Sequence, residues 1–401
     1  KYYGGYTSRI TTRVSGATSG VVAEFNFQVL LDGVAVGSFP NLIMTTSAER
    51  YALKIVNDER DGSNLVALTD PALGQRPANG TYGPLTGGDD GFTSLDDNDF
   101  IGSSAGPTGQ YALDIVDDLT LLSIPGRATS AVANAMITYC EVWRDGRVFA
   151  VLTVPEDSSF TDAVDYVENV ASILETTEFG AAYWPWVKVL NPSQRVYGTD
   201  EQIVVSPEGH ILGAYARVDA ELPAGVYQAA ANVELGILRG VLGFEHDESL
   251  EQNKRDVVYP KRINPLTTFR GAPRFIDGSR TLKSTGSFPS IGESRGAIHI
   301  ASTLHRGMQF ARHRNNTPSL RARVNRTATA FLRGEMNKGA FASRDPETAF
   351  FVDTSEQVNP PTEQLANRLW VRVGLAFAKP AEFVIVMLSA DTRALDEELA
   401  G

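Results

Sequence analysis

Cysteine is almost missing from this sequence. Cys140 is the only one in 401 residues, which excludes an intrachain disulfide and a cysteine-based zinc site. It lies in the mostly apolar run 132–142, so a buried, inert thiol is expected there rather than a nucleophile. This usage suits assembly in a reducing cytoplasm. Long apolar runs are missing too. None approaches the roughly 18 residues of a membrane span, so no stable membrane insertion is expected. No secretory apolar region opens the chain. It begins at Lys1 rather than Met, so either an upstream segment or a processed start is expected. The five histidines, His210, His246, His299, His305 and His313, fall in no metal-binding spacing. No G-x-S-x-G elbow or kinase set occurs. Paired acids such as Asp117-Asp118 cannot be told from solvated ones. The expectation is no enzyme, no cofactor and no metal.

What is present is ordinary globular material, 42% apolar and 21% charged, in a chain long enough for two or three domains. The formal charge of −12 argues against direct nucleic-acid binding. That charge is uneven. Residues 254–344 hold 18 bases against 4 acids, a net +14 that leaves −26 for the rest. A chain with a basic part and an acidic part can attract its own copies or an acidic partner; a plain solvated basic surface is the equal alternative.

In chain order, residues 1–84 read as a β-rich domain, with strand-like runs at Arg9–Val14, Val21–Leu31 and Ala52–Val56 and a turn at Asp32-Gly33. Residues 85–195 alternate strand and helix, an α/β layer. Helices are expected at Ala131–Cys140 and Thr161–Thr176, strands at Val148–Val154 and Ala181–Val189, and a short apolar element at Tyr111–Val116. The loop Gly87–Gly91 lacks the spacing and lysine of a phosphate loop. Asp96, Asp97 and Asp99 lack calcium-loop spacing and read as an acidic turn. Residues 196–390 are mixed α+β, with a helix expected at Gly209–Arg217, and residues 391–401 form an arm or linker. The clearest helix is Pro318–Arg333, with Thr317 as N-cap, Pro318 at N1 and Gly334 as C-cap. Its apolar stripe is Leu320, Val324, Ala328 and Phe331. Arg323, Arg326 and Arg333 make a basic edge on another side, with Arg312 and Arg314 nearby. Near the C-terminus, Leu369, Val371, Val373 and Leu375 alternate with Arg368, Trp370 and Arg372, a half-buried strand. After Pro380, the run Phe383, Val384, Ile385, Val386, Met387 and Leu388 reads as a strand buried on both faces. An ordinary core hairpin is the alternative reading of these two runs.

Several blocks occur in the order known from one family. They are Tyr183-Trp-Pro-Trp-Val-Lys-Val189, Ser206-Pro-Glu-Gly-His-Ile-Leu-Gly-Ala-Tyr-Ala-Arg-Val-Asp219, Gly225-Val-Tyr-Gln-Ala-Ala-Ala-Asn232, Arg262-Ile-Asn-Pro265, Gly278-Ser-Arg-Thr-Leu282, Phe350-Phe-Val352 and Pro380-Ala-Glu-Phe383. With Gly87–Gly91 and Ala112–Asp117 upstream, this pattern resembles the contractile tail sheath proteins of myophages, R-type bacteriocins and related injection systems, over residues 85 to 390. Ala230 stands where the family usually has proline. The family's opening arm and Pro-Gly-Val-Tyr segment do not precede the β region here, so an incomplete N-terminus or a divergent branch is expected.

The resemblance implies an α+β and α/β multidomain fold whose C-terminal core shares strands between subunits. It implies a structural, non-enzymatic subunit of a virion tail, assembled in the host bacterial cytoplasm. Such subunits stack as six-fold rings around an inner tail tube, with a baseplate and a tail terminator as further partners, and contract to drive the tube through an envelope. Phe383–Leu388 then reads as an inter-subunit strand, and Arg312, Arg314, Arg323, Arg326 and Arg333 as a contact to the tube or to a neighbouring subunit. The alternatives are a Rossmann-like nucleotide-binding enzyme on residues 85–192 and a static capsid or surface-layer protein.

Overall fold

The computed structural model describes residues 9–382, apart from 59, 64, 72–73, 87–94, 192–200, 247–249 and 270. The chain divides into two compact units, residues 1–96 and 97–401. In the first unit, strands β1 (Ile10–Gly16), β2 (Phe25–Leu31), β3 (Val34–Leu42) and β4 (Gly80–Tyr82) form an antiparallel sheet in the order β3-β2-β1-β4. Phe25, Phe27 and Val29 alternate inward and bury against Ile10, Val14 and Leu42. Asp32 and Gly33 turn with φ of 51° and 81°, the positive pair that suits a two-residue hairpin. The segment Ala52–Val56, expected as a strand, is helix α1 instead. A strand would put Lys54 on the same face as Ala52 and Val56, whereas a helical turn buries those two and leaves Lys54 exposed.

The second unit begins with α2 (Asp97–Ile101), β5 (Leu121–Leu122), α3 (Ser130–Thr138), β6 (Phe149–Thr153), α4 (Phe160–Asp165) and β7 (Gly180–Trp184). It continues through β8 (Val187–Leu190), β9 (Gln202–Val205), α5 (Glu208–Glu221), α6 (Asn232–Leu235), β10 (Val241–Phe244), α7 (Gln252–Val258), β11 (Ile263–Thr267) and β12 (Phe275–Ile276). Then come α8 (Ile291–Gly307), α9 (Pro318–Lys338), α10 (Pro346–Ala349), β13 (Phe350–Asp353), α11 (Pro361–Leu365) and β14 (Arg372–Leu375). A five-stranded sheet runs β12-β11-β7-β6-β5, parallel except at its β11–β12 edge.

Every residue of β6, β7 and β11 is buried. Successive side chains alternate between two cores. Ala150, Leu152, Ala182, Trp184 and Ile263 pack with Val132 and Met136 of α3 and Ala163 of α4. Phe149, Val151, Ala181, Tyr183 and Leu266 pack with Ile211 and Tyr215 of α5 and Ile298 of α8. Helices therefore cover both faces, as a parallel sheet demands.

Several expected boundaries move. The run Ala181–Val189 is two strands, because Pro185 cannot donate to a ladder. Tyr111–Val116 lies mostly in a 3₁₀ turn, 109–115. The helices expected at Ala131–Cys140 and Thr161–Thr176 end as wide π turns at Tyr139–Trp143 and Tyr166–Val170. Helix α9 starts as expected, with the Thr317 side chain accepting from Leu320 N. It passes Gly334 and stops at Gly339, whose φ of 95° makes the left-handed cap. Burial of Glu335 and Met336 carries the helix through that glycine, and Leu332 rather than Phe331 is its fully buried fourth apolar residue.

Two of the sequence blocks meet inside this unit. Asn264 on β11, fully buried, donates to Ala182 O at 3.2 Å and Arg280 O at 2.8 Å, and accepts from Arg280 N at 2.8 Å. Arg262 donates to Thr281 O, Lys283 O and Pro289 O. A Cβ on Gly278 would lie 2.6 Å from Asn264 Oδ1, so only glycine permits this approach. Asn264→Ala strands one part-buried N–H and two carbonyls, and is expected to cost about 2–4 kcal/mol. Urea denaturation at neutral pH measures it, and a change under 1 kcal/mol refutes this account.

Candidate assembly interface

Helices α8 and α9 carry a narrow sheet at the end of the chain. Ser290 and Glu293 start α8 with a reciprocal capping box. Ala297 and Ile300 of α8 and Leu332 and Met336 of α9 bury against Phe341, Phe350 and Phe377. On that cluster β13 pairs antiparallel with β14, Val352 opposite Val373. This sheet has two strands among the described residues, fewer than an isolated sheet needs for stability. The strand expected over Arg368–Ala378 is regular only at Arg372–Leu375; its alternation holds over Leu369–Val373, whereas Arg368, expected on the opposite face, also reaches the cleft. Leu369, Val371, Val373 and Leu375 all line a cleft of about 1640 Å³, opposite Ile300 and Leu304 of α8. Arg312, Arg314 and Arg368 also line it, so an apolar groove carries cationic groups.

A buried polar knot fixes α8 to α9. Glu335 accepts from Tyr227 Oη at 2.6 Å and Lys338 Nζ at 2.8 Å, with His299 Nε2 at 3.8 Å. Burial holds the His299 imidazole below its usual pKa. Burial pushes the Cys140 thiol up, which makes it a poor nucleophile.

Arg323, Arg326 and Arg333 are exposed on α9, and Arg312 and Arg314 are exposed in the segment before it. None pairs with a carboxylate among the described residues. Arg323 stacks over the Phe310 ring at 4.6 Å, and Arg312 donates to Gln309 at 3.1 Å. Phe383–Leu388, the residues 391–401 and the loop Gly87–Gly91 lie outside the described residues. Asp97 and Asp99 sit in α2, where Asp97 accepts from Thr129 Oγ1 at 2.6 Å.

The block Pro380-Ala-Glu-Phe383 does not reveal in sequence what its glutamate does. Arg280 binds Glu382 at 2.6 Å, and its guanidinium lies 3.8 Å from the centre of the Tyr259 ring. The signal was a glutamate after a proline with an arginine block upstream, which spacing alone does not connect. The anchor fixes the point from which the chain continues past residue 382. Burial alone would raise the Glu382 carboxyl; the hydrogen bonds and charge of Arg280 outweigh it and hold the group below its usual value. A depressed carboxylate contributes its stability in full above the unfolded value of about 4.3, and loses it as pH falls through the folded value. Glu382→Gln is therefore expected to be less stable than the native chain at neutral pH, with the gap closing in acid below that value. Urea midpoints across a pH series check this, and a gap independent of pH contradicts it.

No protein-family model matches the chain, and no curated protein does. Solved structures do. A chain of the sheath complex of PVC, an extracellular contractile injection system in its contracted state, is 26% identical with a TM-score of 0.58, over 70% of this chain and 73% of that one. A chain of the six-fold symmetrised anti-feeding prophage baseplate is 23% identical with a TM-score of 0.57, over 70% of each. The sheath tail protein of Desulfitobacterium hafniense is 14% identical with a TM-score of 0.56, over 87% of this chain and 71% of that one. The first and third of these structures are named as sheath proteins, and the chain resembles the contractile tail sheath family in its fold as well as in its sequence blocks.

Proposed function

We propose that this chain is the structural subunit of a contractile sheath that stacks as six-fold rings around an inner tube and contracts to drive the tube through a target envelope. Its place is a phage-like tail or injection particle, with the tube protein, a baseplate and a terminator as partners. Residues 1–84, 85–195 and 196–390 are its three functional segments, the last two joined where β11 pairs with β7 in one sheet, with 391–401 as an arm. The observation that carries this reading is the two-stranded sheet β13–β14. Among the described residues it is too narrow to be complete, it borders a large cleft with an apolar wall, and the Glu382 anchor precedes an apolar, β-branched segment. Phe383–Leu388 completes this sheet in a neighbouring subunit, because strand addition supplies main-chain hydrogen bonds on an open edge. The arginine face of Arg312, Arg314, Arg323, Arg326 and Arg333 contacts an acidic surface, on the tube or on another subunit. Exposed ion pairs of roughly 0–1 kcal/mol each are weak enough to exchange and sum over a lattice.

The test is electron microscopy of the full chain, alone and with its tube partner, beside an Ile385→Pro/Met387→Pro variant. Native chains are expected to form tubular six-fold polymers. The variant is expected to stay folded and unpolymerised, since each proline removes a ladder donor. Native chains that remain small discrete oligomers under all conditions overturn the sheath reading.

A further inference from the structure

A second exposed surface is built where the segments 111–116 and 139–144 pack together. Tyr139 Oη donates to Asp114 at 2.8 Å, and the Trp143 indole N–H donates to the same carboxylate at 2.9 Å. The Tyr111 ring meets Trp143 edge-on at 5.2 Å. Arg144 donates to Val116 O at 2.8 Å and pairs with Asp114 at 3.5 Å.

The π turn decides which side chains point out. Along α3, the buried positions Val132, Met136 and Cys140 recur every four residues. Continued α-helically, that stripe would take in Trp143 at the i+3 position. The wide turn inserts one residue and turns Trp143 outward, half exposed, leaving Arg144 on the inner side. Ile115 is 87% exposed and Val142 69%. Asp117 and Asp118 beside them are exposed, and neither they nor Glu141 make an ion pair among the described residues. The result is an apolar patch with a rigidly held indole and a rim of unpaired acids.

We infer that this patch docks on the arginine face of α9 in a second copy of the chain. The inference rests on the self-assembly reading above and names the acidic counter-surface for it. An indole held by a hydrogen bond and a ring contact loses little freedom on binding, which makes Trp143 an anchor. Its face takes a guanidinium, and the acids around it select cations. The same chain carries the complement. Arg323 and Arg326 are exposed, unpaired with any carboxylate among the described residues, and Arg323 already stacks on one aromatic ring. Copies of one chain thus supply both halves of a head-to-tail contact, the kind that builds rings or helical stacks from identical subunits.

The test reverses the charges separately and together in the full chain. Asp117→Lys/Asp118→Lys and Arg323→Glu/Arg326→Glu are each expected to melt cooperatively like the native chain, yet to need about tenfold more protein to polymerise in sedimentation and electron microscopy. Combined in one chain, they are expected to return that concentration to within about threefold of native, since each reversed patch then faces its complement. If the acid reversal leaves polymerisation unchanged, or the combined variant is no better than the worse single one, the pairing is wrong while the sheath reading stands. If the native chain never polymerises, the sheath reading fails and this one with it. Should the lysine variant fail to fold, Asp117→Asn/Asp118→Asn alone is expected to raise the polymerising concentration, and no change on neutralising these acids refutes the pairing.

Discussion

Double-sided burial of β6, β7 and β11 is the constraint on which the second unit depends. With every residue of these strands inside, both faces need a helical layer. The chain meets this by sending α3 and α4 to one side and α5 and α8 to the other. The placement of α8 follows from this, and α9 is fixed to α8 by Leu332 and Met336 and by the Glu335 knot. The narrow sheet β13–β14 then rests on both helices. The surface assigned to assembly is thus only two packing steps from the central core.

Much of this was legible in the sequence, for physical reasons. Continuous apolar runs such as Val148–Val154 can only be buried strands or buried helix, and their length and flanking proline choose strand. The start of α9 was readable because Thr317 and Pro318 do local work at a helix N-terminus. Its end was not. Gly334 looks like a cap until Glu335 and Met336 are known to be buried, and burial is a tertiary fact. Ala52–Val56 failed for a related reason, since only the position of Lys54 separates the two structures, and exposure cannot be read from five residues.

The interface was legible in part. The alternation of Leu369, Val371, Val373 and Leu375 gave the correct shared face, now the lining of a cleft. The basic edge of α9 was read from spacing, and its arginines do stand exposed. The outward turn of Trp143 was invisible, because one inserted residue in a helical turn leaves no mark in composition. The pairing of Arg280 with Glu382 spans 102 residues, a separation that local spacing does not bridge.

That pairing has a mechanical side. Glu382 is tied to Arg280, whose backbone is stapled to Asn264, which in turn bonds to the carbonyl of Ala182 on the neighbouring strand β7. Tension applied to the chain beyond residue 382 therefore reaches the parallel sheet through β11 before it loads the two-stranded sheet. A pull there works against the most deeply packed layer of the molecule, while the cleft beside β14 is spared. Such a load enters where burial is complete and bypasses the narrow sheet at the cleft.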